Sequence, residues 1–433
     1  MTVRGAALLG VGAMVGAGIF ALLGEAGAVA GAATWLSFLI AGIVSLLLGY
    51  NVVKLGVRYP SSGGLFEYLL QGFGNGRLLG IAAWLGYISA VLIVCSMCAV
   101  SFGDYAVSLF VGNGGADWWD NVFTSAIVVA MAIVVVVGPH LVAKAQTLIV
   151  FVMVGILAVF VAVTLPSIDL HLLSFSDYPP VSDVVASVAL TFFAFLGFSV
   201  ITFAAGDMRN PSRDLPKAMN RALGVTTLIY VLVAVSVFGT LTVDEVVRYG
   251  PTAIAEAGRP ALGDAGFTMI AIAAMVGMAG SVVATLYASG GLTGMLSNVG
   301  QFPPFFGSGS RLGAKSGVLI SAAVVLLVAN TVNLSAIASV GSACSLMIFV
   351  LVGVAGYRVR GETGAQAWLI LLGVAVTLVV LAFFVVDTLR NAPQTFTAMA
   401  IVAALAIVLD LVWKRVRGEA PREEAPAPAR TQE

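Results

Sequence analysis

Apolar runs of about 20 residues, each long enough to cross a hydrocarbon core of roughly 30 Å, recur from one end of the chain to the other. They fall at 5–29, 34–57, 78–110, 122–137, 148–165, 184–205, 222–240, 267–293, 318–330, 334–356, 367–386 and 396–413. The pattern predicts an all-α protein with about twelve membrane-spanning helices. The runs at 122–137 and 318–330 are the shortest, and their edges are the least sharply drawn. Residues 1–417 form one membrane domain on this reading. Residues 418–433, rich in Pro, Ala, Glu and Arg, have almost nothing to bury and predict a disordered tail.

Composition sharpens the class. The chain is 60% apolar and 10% charged, with a mean hydropathy of +1.05, whereas a soluble globule carries a charged fraction of about 25%. The basic residues also sort by side. Counting connections from an inside amino terminus, Lys54, Arg58, Arg77, Lys144, Arg209, Arg213, Lys217, Arg221, Arg311, Lys315, Arg358 and Arg360 share one face with Lys414, Arg415, Arg417, Arg422 and Arg430 of the tail. Arg248, Arg259 and Arg390 lie opposite, with acids such as Asp117, Asp120, Asp169, Asp177, Asp244 and Glu245. Basic residues stay on the cytoplasmic side, so both termini are expected inside a multi-pass protein of the plasma membrane. No separate signal peptide is expected, because Met1 to Arg4 runs straight into the first long segment.

Two of the runs look interrupted. Gly12, Gly16 and Gly18 sit in Gly-Ala-Met-Val-Gly-Ala-Gly-Ile-Phe within the first, where each costs a helix interior roughly 1 kcal/mol relative to alanine. Bare glycines let a backbone unwind, which a bilayer tolerates only where the opened groups line a cavity or a ligand. The sixth run reads Thr-Phe-Phe-Ala-Phe-Leu-Gly-Phe-Ser-Val-Ile-Thr-Phe-Ala-Ala-Gly-Asp and continues into Met-Arg-Asn-Pro, where Pro211 turns the chain out of helix. Breaks at matching positions of two halves point to a carrier with its site near the bilayer midplane. The connection Tyr-Pro-Ser-Ser-Gly-Gly-Leu-Phe-Glu-Tyr at 59–68 predicts a short interfacial helix held by aromatic anchors.

These residues in combination resemble the amino acid permeases of the amino acid–polyamine–organocation superfamily. The resemblance rests on Gly-Ala-Met-Val-Gly-Ala-Gly-Ile-Phe, on Tyr-Pro-Ser-Ser-Gly-Gly, and on Phe-Phe-Ala-Phe-Leu-Gly-Phe leading into Arg-Asn-Pro-Ser-Arg-Asp-Leu-Pro. It implies the LeuT-like fold: a five-helix repeat at 5–165, a second of inverted topology at 182–356, and two peripheral helices at 366–415, with helices 1 and 6 broken. It implies an amino acid permease working by alternating access. By the same resemblance, the aromatic that closes over the substrate falls at Phe193.

The opened helix ends suggest how such a site would hold a zwitterion. Free N–H groups attract an anion and free carbonyls a cation. The substrate carboxylate is therefore expected on the amides of Gly16, Ala17 and Gly18, and the ammonium on carbonyls of Met14 and Val15 and of Phe195, Leu196, Gly197 and Phe198, with Ser199 beside them. Pocket candidates are Tyr87, Ser89 and Ile93, then Met278 and Ser281, then Ser339, Ser342 and Cys344. All are neutral, and a charged substrate side chain would lack a counter-charge there, so neutral amino acids are favoured.

The coupling ion is expected to be a proton. Several proton-coupled members of the resembled family carry a lysine in the fifth span, where this chain has Met153. Asp207 and Glu25, the latter about 10 Å beyond Gly18 at 1.5 Å per residue, remain as carboxylates able to carry it. Sodium symport, exchange and, more remotely, a channel are the alternatives. No grouping of nucleophile, base and acid points to an enzyme. Cys95 and Cys98 lie in an apolar helix with no second pair, so no metal or cofactor is expected, and nothing suggests a nucleic-acid partner.

Overall fold

The computed structural model describes residues 2–61, 64–112, 118–208, 210–307 and 312–417, and every regular element among them is helical. In chain order these are α1 (Val3–Ala30), α2 (Thr34–Arg58), the short α3 (Leu65–Phe73), and α4 (Arg77–Tyr87), which passes through a π-helical turn (Ile88–Ile93) into α5 (Val94–Phe110). Next come α6 (Trp118–Val137), α7 (Pro139–Thr164), α8 (Val181–Phe193) with a following 3-10 segment (Leu196–Asp207), and α9 (Pro211–Phe238). The short α10 (Val243–Tyr249) and α11 (Ala253–Glu256) precede α12 (Arg259–Asn298), α13 (Ala314–Thr331), α14 (Leu334–Arg358), the single turn α15 (Arg360–Thr363), α16 (Ala367–Asn391) and α17 (Pro393–Arg417). Ten helical stretches among the described residues are long and apolar enough to cross a membrane, with Val3–Gly16 and Lys315–Thr331 as shorter apolar helices. The expected tail at 418–433 lies outside the described residues, as do the side chains of Ala17 and Asp207.

Helix α1 runs through the middle of the molecule. Met14, Val15, Ile19, Phe20 and Leu22 have no exposed surface, because α8, α9, α12 and the 3-10 segment all pack on this helix. At the other extreme, the most apolar windows of α16 and α17 are 28% and 17% buried, against 72% for α14. Their outward Leu371, Val379, Phe383, Leu405 and Leu411 are what a lipid-facing surface requires. The short α3 forms where an interfacial helix is predicted and buries Phe66, Tyr68, Leu69 and Leu70. Its Gly72 presses on Ala355 of α14, and the Arg358 guanidinium lies 4.6 Å over the Phe73 ring.

One expected break is present and the other is not. The sixth span changes form after Phe193, from α-helix to 3-10 helix. The first span, by contrast, is a single α-helix over Val3–Ala30 with its ladder uninterrupted at Gly16 and Gly18. Neither glycine has a positive φ. Their physical use here is close approach, since the helices around α1 come too near for any side chain, and the amides expected to be free are held inside the helix.

The basic end of the molecule is tied by a buried ion pair. Asp410 of α17 has no exposed surface, and Lys414 Nζ lies 2.9 Å from its Oδ1 and donates to its Oδ2 at 3.0 Å. The same lysine reaches the Gly76 carbonyl at 3.5 Å, and Trp413 Nε1 donates to the Gly300 carbonyl at 3.0 Å. Removing one partner of a buried pair strands the other charge. Lys414→Met is therefore expected to destabilise the protein by about 3–5 kcal/mol, read as a lowered unfolding midpoint of the purified protein in detergent, and the Asp410→Leu/Lys414→Met double variant to recover most of that loss.

Candidate functional site

The site is built where α1 meets the break in the sixth span. A Cβ on Gly16 would lie 2.5 Å from the Gly277 carbonyl oxygen of α12 and collide with the Ser281 hydroxyl. A Cβ on Gly18 would lie 2.6 Å from the Ala194 carbonyl oxygen and collide with the Tyr230 hydroxyl. From the other side, a Cβ on Gly197 would lie 2.6 Å from the Met14 amide nitrogen and 2.5 Å from the Ala13 carbonyl oxygen. Three glycines thus let three backbones touch, and any larger residue would push them apart.

The break follows from local hydrogen bonding. The Ala194 and Phe195 amides bond at i−3, to the Thr191 and Phe192 carbonyls, and the Phe198 amide that would close an α-turn onto Ala194 binds the Phe195 carbonyl at 2.9 Å instead. From Leu196 the chain continues as a 3-10 helix of 12 residues, although runs beyond about 3–4 residues are uncommon and often mark a hinge. Ser199 and Thr202 hydroxyls donate to the Leu196 carbonyl at 2.9 Å and the Ser199 carbonyl at 2.6 Å, competing with the ladder. The rings of Phe195 and Phe198 are fully buried, packing on Tyr230 and Phe349.

Tyr230 of α9 joins the two halves of the site. Its hydroxyl lies 2.7 Å from the Met14 carbonyl oxygen and 3.1 Å from that of Ala194, and its ring is held edge-on between Phe38 and Phe195. The sequence-based reading passes over this residue. Its signal is a lone tyrosine in Leu-Ile-Tyr-Val-Leu-Val, since a buried phenol needs a partner.

Phe193 closes α8 and is buried. Its ring lies where a Cβ on Gly341 of α14 would be, with Ile93 on the far side, at 2.5 Å from Phe193 Cζ and 2.6 Å from Ile93 Cγ2. Ile93 ends the π-helical turn, a feature that recurs at functional sites and that the sequence pattern does not reveal. Of the other pocket candidates, Ser281 is buried with no hydrogen-bond partner for its hydroxyl among the described residues, whereas Ser89, Ser342 and Tyr87 are engaged by neighbours. Ser89 bonds Ser345 at 2.7 Å and Ser342 donates to the Ala338 carbonyl at 2.8 Å. Tyr87 bonds Ser321 at 2.7 Å within a ring cluster of Trp84, Phe302 and Phe306. Met278 and Cys344 are buried, and Ser339 is half-buried.

Of the two carboxylates, Glu25 is half-buried in α1. The side chain of Asp207 lies outside the described residues. Met153 of α7 is fully buried, with its sulfur 2.5 Å from the position of a Cβ on Gly277, itself 3.4 Å from Gly16 Cα. The thioether fills the space between α1 and α12.

A family model described as amino acid permease matches residues 2–409. The inner membrane transport protein YbaT of Escherichia coli is 28% identical over 407 residues, 94% of each chain. Cationic amino acid transporter 1 of Arabidopsis thaliana is 28% identical over 384 residues, 82% of this chain and 62% of its own. The branched-chain amino acid permease BcaP of Bacillus subtilis is 26% identical over 251 residues, 54% of this chain and 53% of its own.

The close fit of Phe193 against Gly341 gives a direct test. Gly341→Val is expected to wedge Phe193 and Ile93 apart at an overpacking cost of about 1–3 kcal/mol, seen as a lower unfolding midpoint. Pairing it with Phe193→Leu, which frees the space, is expected to restore part of that loss.

Proposed function

The chain belongs to the amino acid permease family, and we propose that it is a secondary carrier of neutral L-amino acids in the plasma membrane, with both termini inside, working by alternating access and coupled to protons. Supporting this most directly is the convergence of the sixth-span break on Gly16–Gly18 of α1, with every residue named for substrate binding neutral. Relatives are named for cationic and for branched-chain substrates. A cationic side chain would need a counter-charge in low dielectric, and a neutral one needs none.

In this reading the substrate carboxylate takes the amides of Gly16, Ala17 and Gly18, its ammonium takes the carbonyls of Met14, Val15 and 195–198, and Phe193 covers it. Because α1 is intact, the carboxylate reaches those amides only when the helix opens at the two glycines, which ties binding to a conformational step. Glu25 and Asp207 are the proposed proton carriers. Sodium is the weaker alternative, since the Met153 thioether occupies the gap between α1 and α12 and offers no hard oxygen ligand. The halves 5–165 and 182–356 move as the inverted repeats, with 366–415 peripheral to them.

The test is uptake of labelled L-alanine and L-leucine into proteoliposomes under an imposed pH gradient, an imposed sodium gradient, or neither. Accumulation driven by the pH gradient alone is expected, and Glu25→Gln or Asp207→Asn should abolish accumulation while leaving equilibration down the amino acid gradient. Uptake that requires internal amino acid whatever the ion gradient would instead identify an exchanger.

A further inference from the structure

The Tyr230 hydroxyl stands at a point that its own chemistry fills poorly. Two backbone carbonyls converge there, from Met14 at 2.7 Å and Ala194 at 3.1 Å, yet a phenol has one proton to give. Only one carbonyl can be served at a time. The Met14 oxygen belongs to an intact α-helix, where its other lone pair faces the ladder. The Ala194 oxygen has lost its α-helical donor, because the Phe198 amide is bonded to Phe195. Tyr230 has no exposed surface, so water does not relieve the shortage. Glycine at position 18 is what admits the hydroxyl, since a Cβ there would collide with it.

An alkylammonium carries three N–H donors and a full charge, so it would satisfy both carbonyls at once and more strongly than a neutral hydroxyl. We propose that Tyr230 holds the place of the substrate's ammonium in the empty carrier, and that hydroxyl and ammonium compete for the carbonyls of Met14 and Ala194. This rests on the amino acid reading above and adds to it a positioning residue outside α1 and the sixth span, together with a reason why the carrier can close without cargo. A buried carbonyl left unpaired is costly, so an empty carrier lacking the hydroxyl would resist closing. A loaded one would not, because the ammonium serves both oxygens.

Net uptake requires the carrier to return empty, whereas exchange of internal for external substrate never does. The experiment compares the two in proteoliposomes, for the wild type and Tyr230→Phe, using labelled L-leucine or L-alanine, whichever the wild type moves faster. Removing the competitor is expected to lower KM about tenfold, the worth of one buried hydrogen bond at tenfold per 1.4 kcal/mol, and to slow net uptake about tenfold more than exchange. Unchanged or raised KM, with both formats slowed alike, would overturn the proposal and leave Tyr230 a packing residue. Incorporating 3-fluorotyrosine at position 230 keeps shape and hydroxyl while making the hydroxyl the stronger donor. It is expected to raise KM, and a lowered KM would count against the competition even if the phenylalanine variant did not fold. A wild type inactive toward amino acids in both formats would bring down the transport reading itself, whereas an active wild type with contrary variants would bring down this proposal alone.

Discussion

A bilayer leaves no water to satisfy a backbone, so every N–H and C=O inside it must find a partner within the protein. The rest of this structure follows from meeting that demand at one place where regular helix stops. After Phe193 the ladder changes from i−4 to i−3 bonding, and the carbonyl released at Ala194 is carried by a phenol from α9. The exposed turn is then pressed against α1 so closely that only glycine fits on each side. A break that would otherwise expose polar backbone is closed by a contact that leaves no room for a Cβ on Gly16, Gly18 or Gly197.

Among the described residues, the atoms nearest Gly16, Gly18 and Gly197 are uncharged. The fully buried carboxylate of Asp410 is neutralised by Lys414 one turn on in α17, while Lys414 and the neighbouring Trp413 tie the carboxyl-terminal helix to the carbonyls of Gly76 and Gly300 at the basic end. Around Gly16 and Gly18 the polar groups are hydroxyls and carbonyls. The proposed zwitterion would meet dipoles there, and an additional charge in it would go unanswered.

Much of this is legible in the sequence. Apolar runs long enough to cross a membrane mark the spans, and Gly197 among phenylalanines with Pro211 downstream marks the sixth-span break. The misreading of α1 is instructive, because a glycine in a membrane helix signals either an opening or a close approach, and only the neighbours decide. Gly16 and Gly18 are answered by Gly277 and Ala194, which are remote along the chain. Tyr230 is hidden for the same reason, since its partner Met14 is 216 positions away. The π-helical turn at Ile88–Ile93 carries no residue signature at all, as its extra residue per turn is a matter of how α4 and α5 seat against α14. Tyr87 reads as a pocket residue from its position, yet its hydroxyl is taken by Ser321.

The 3-10 segment has a consequence for length. A 3-10 helix rises about 2.0 Å per residue and an α-helix about 1.5 Å, so the 12 residues of Leu196–Asp207 would shorten by about 6 Å if they rewound into α-form. The chain at Asp207 leads through Pro211 into α9, the helix that carries Tyr230. Rewinding would therefore bring the start of α9 nearer to Leu196 by roughly the pitch of one α-helical turn, so the length of the sixth span is set by which helical form its second half takes.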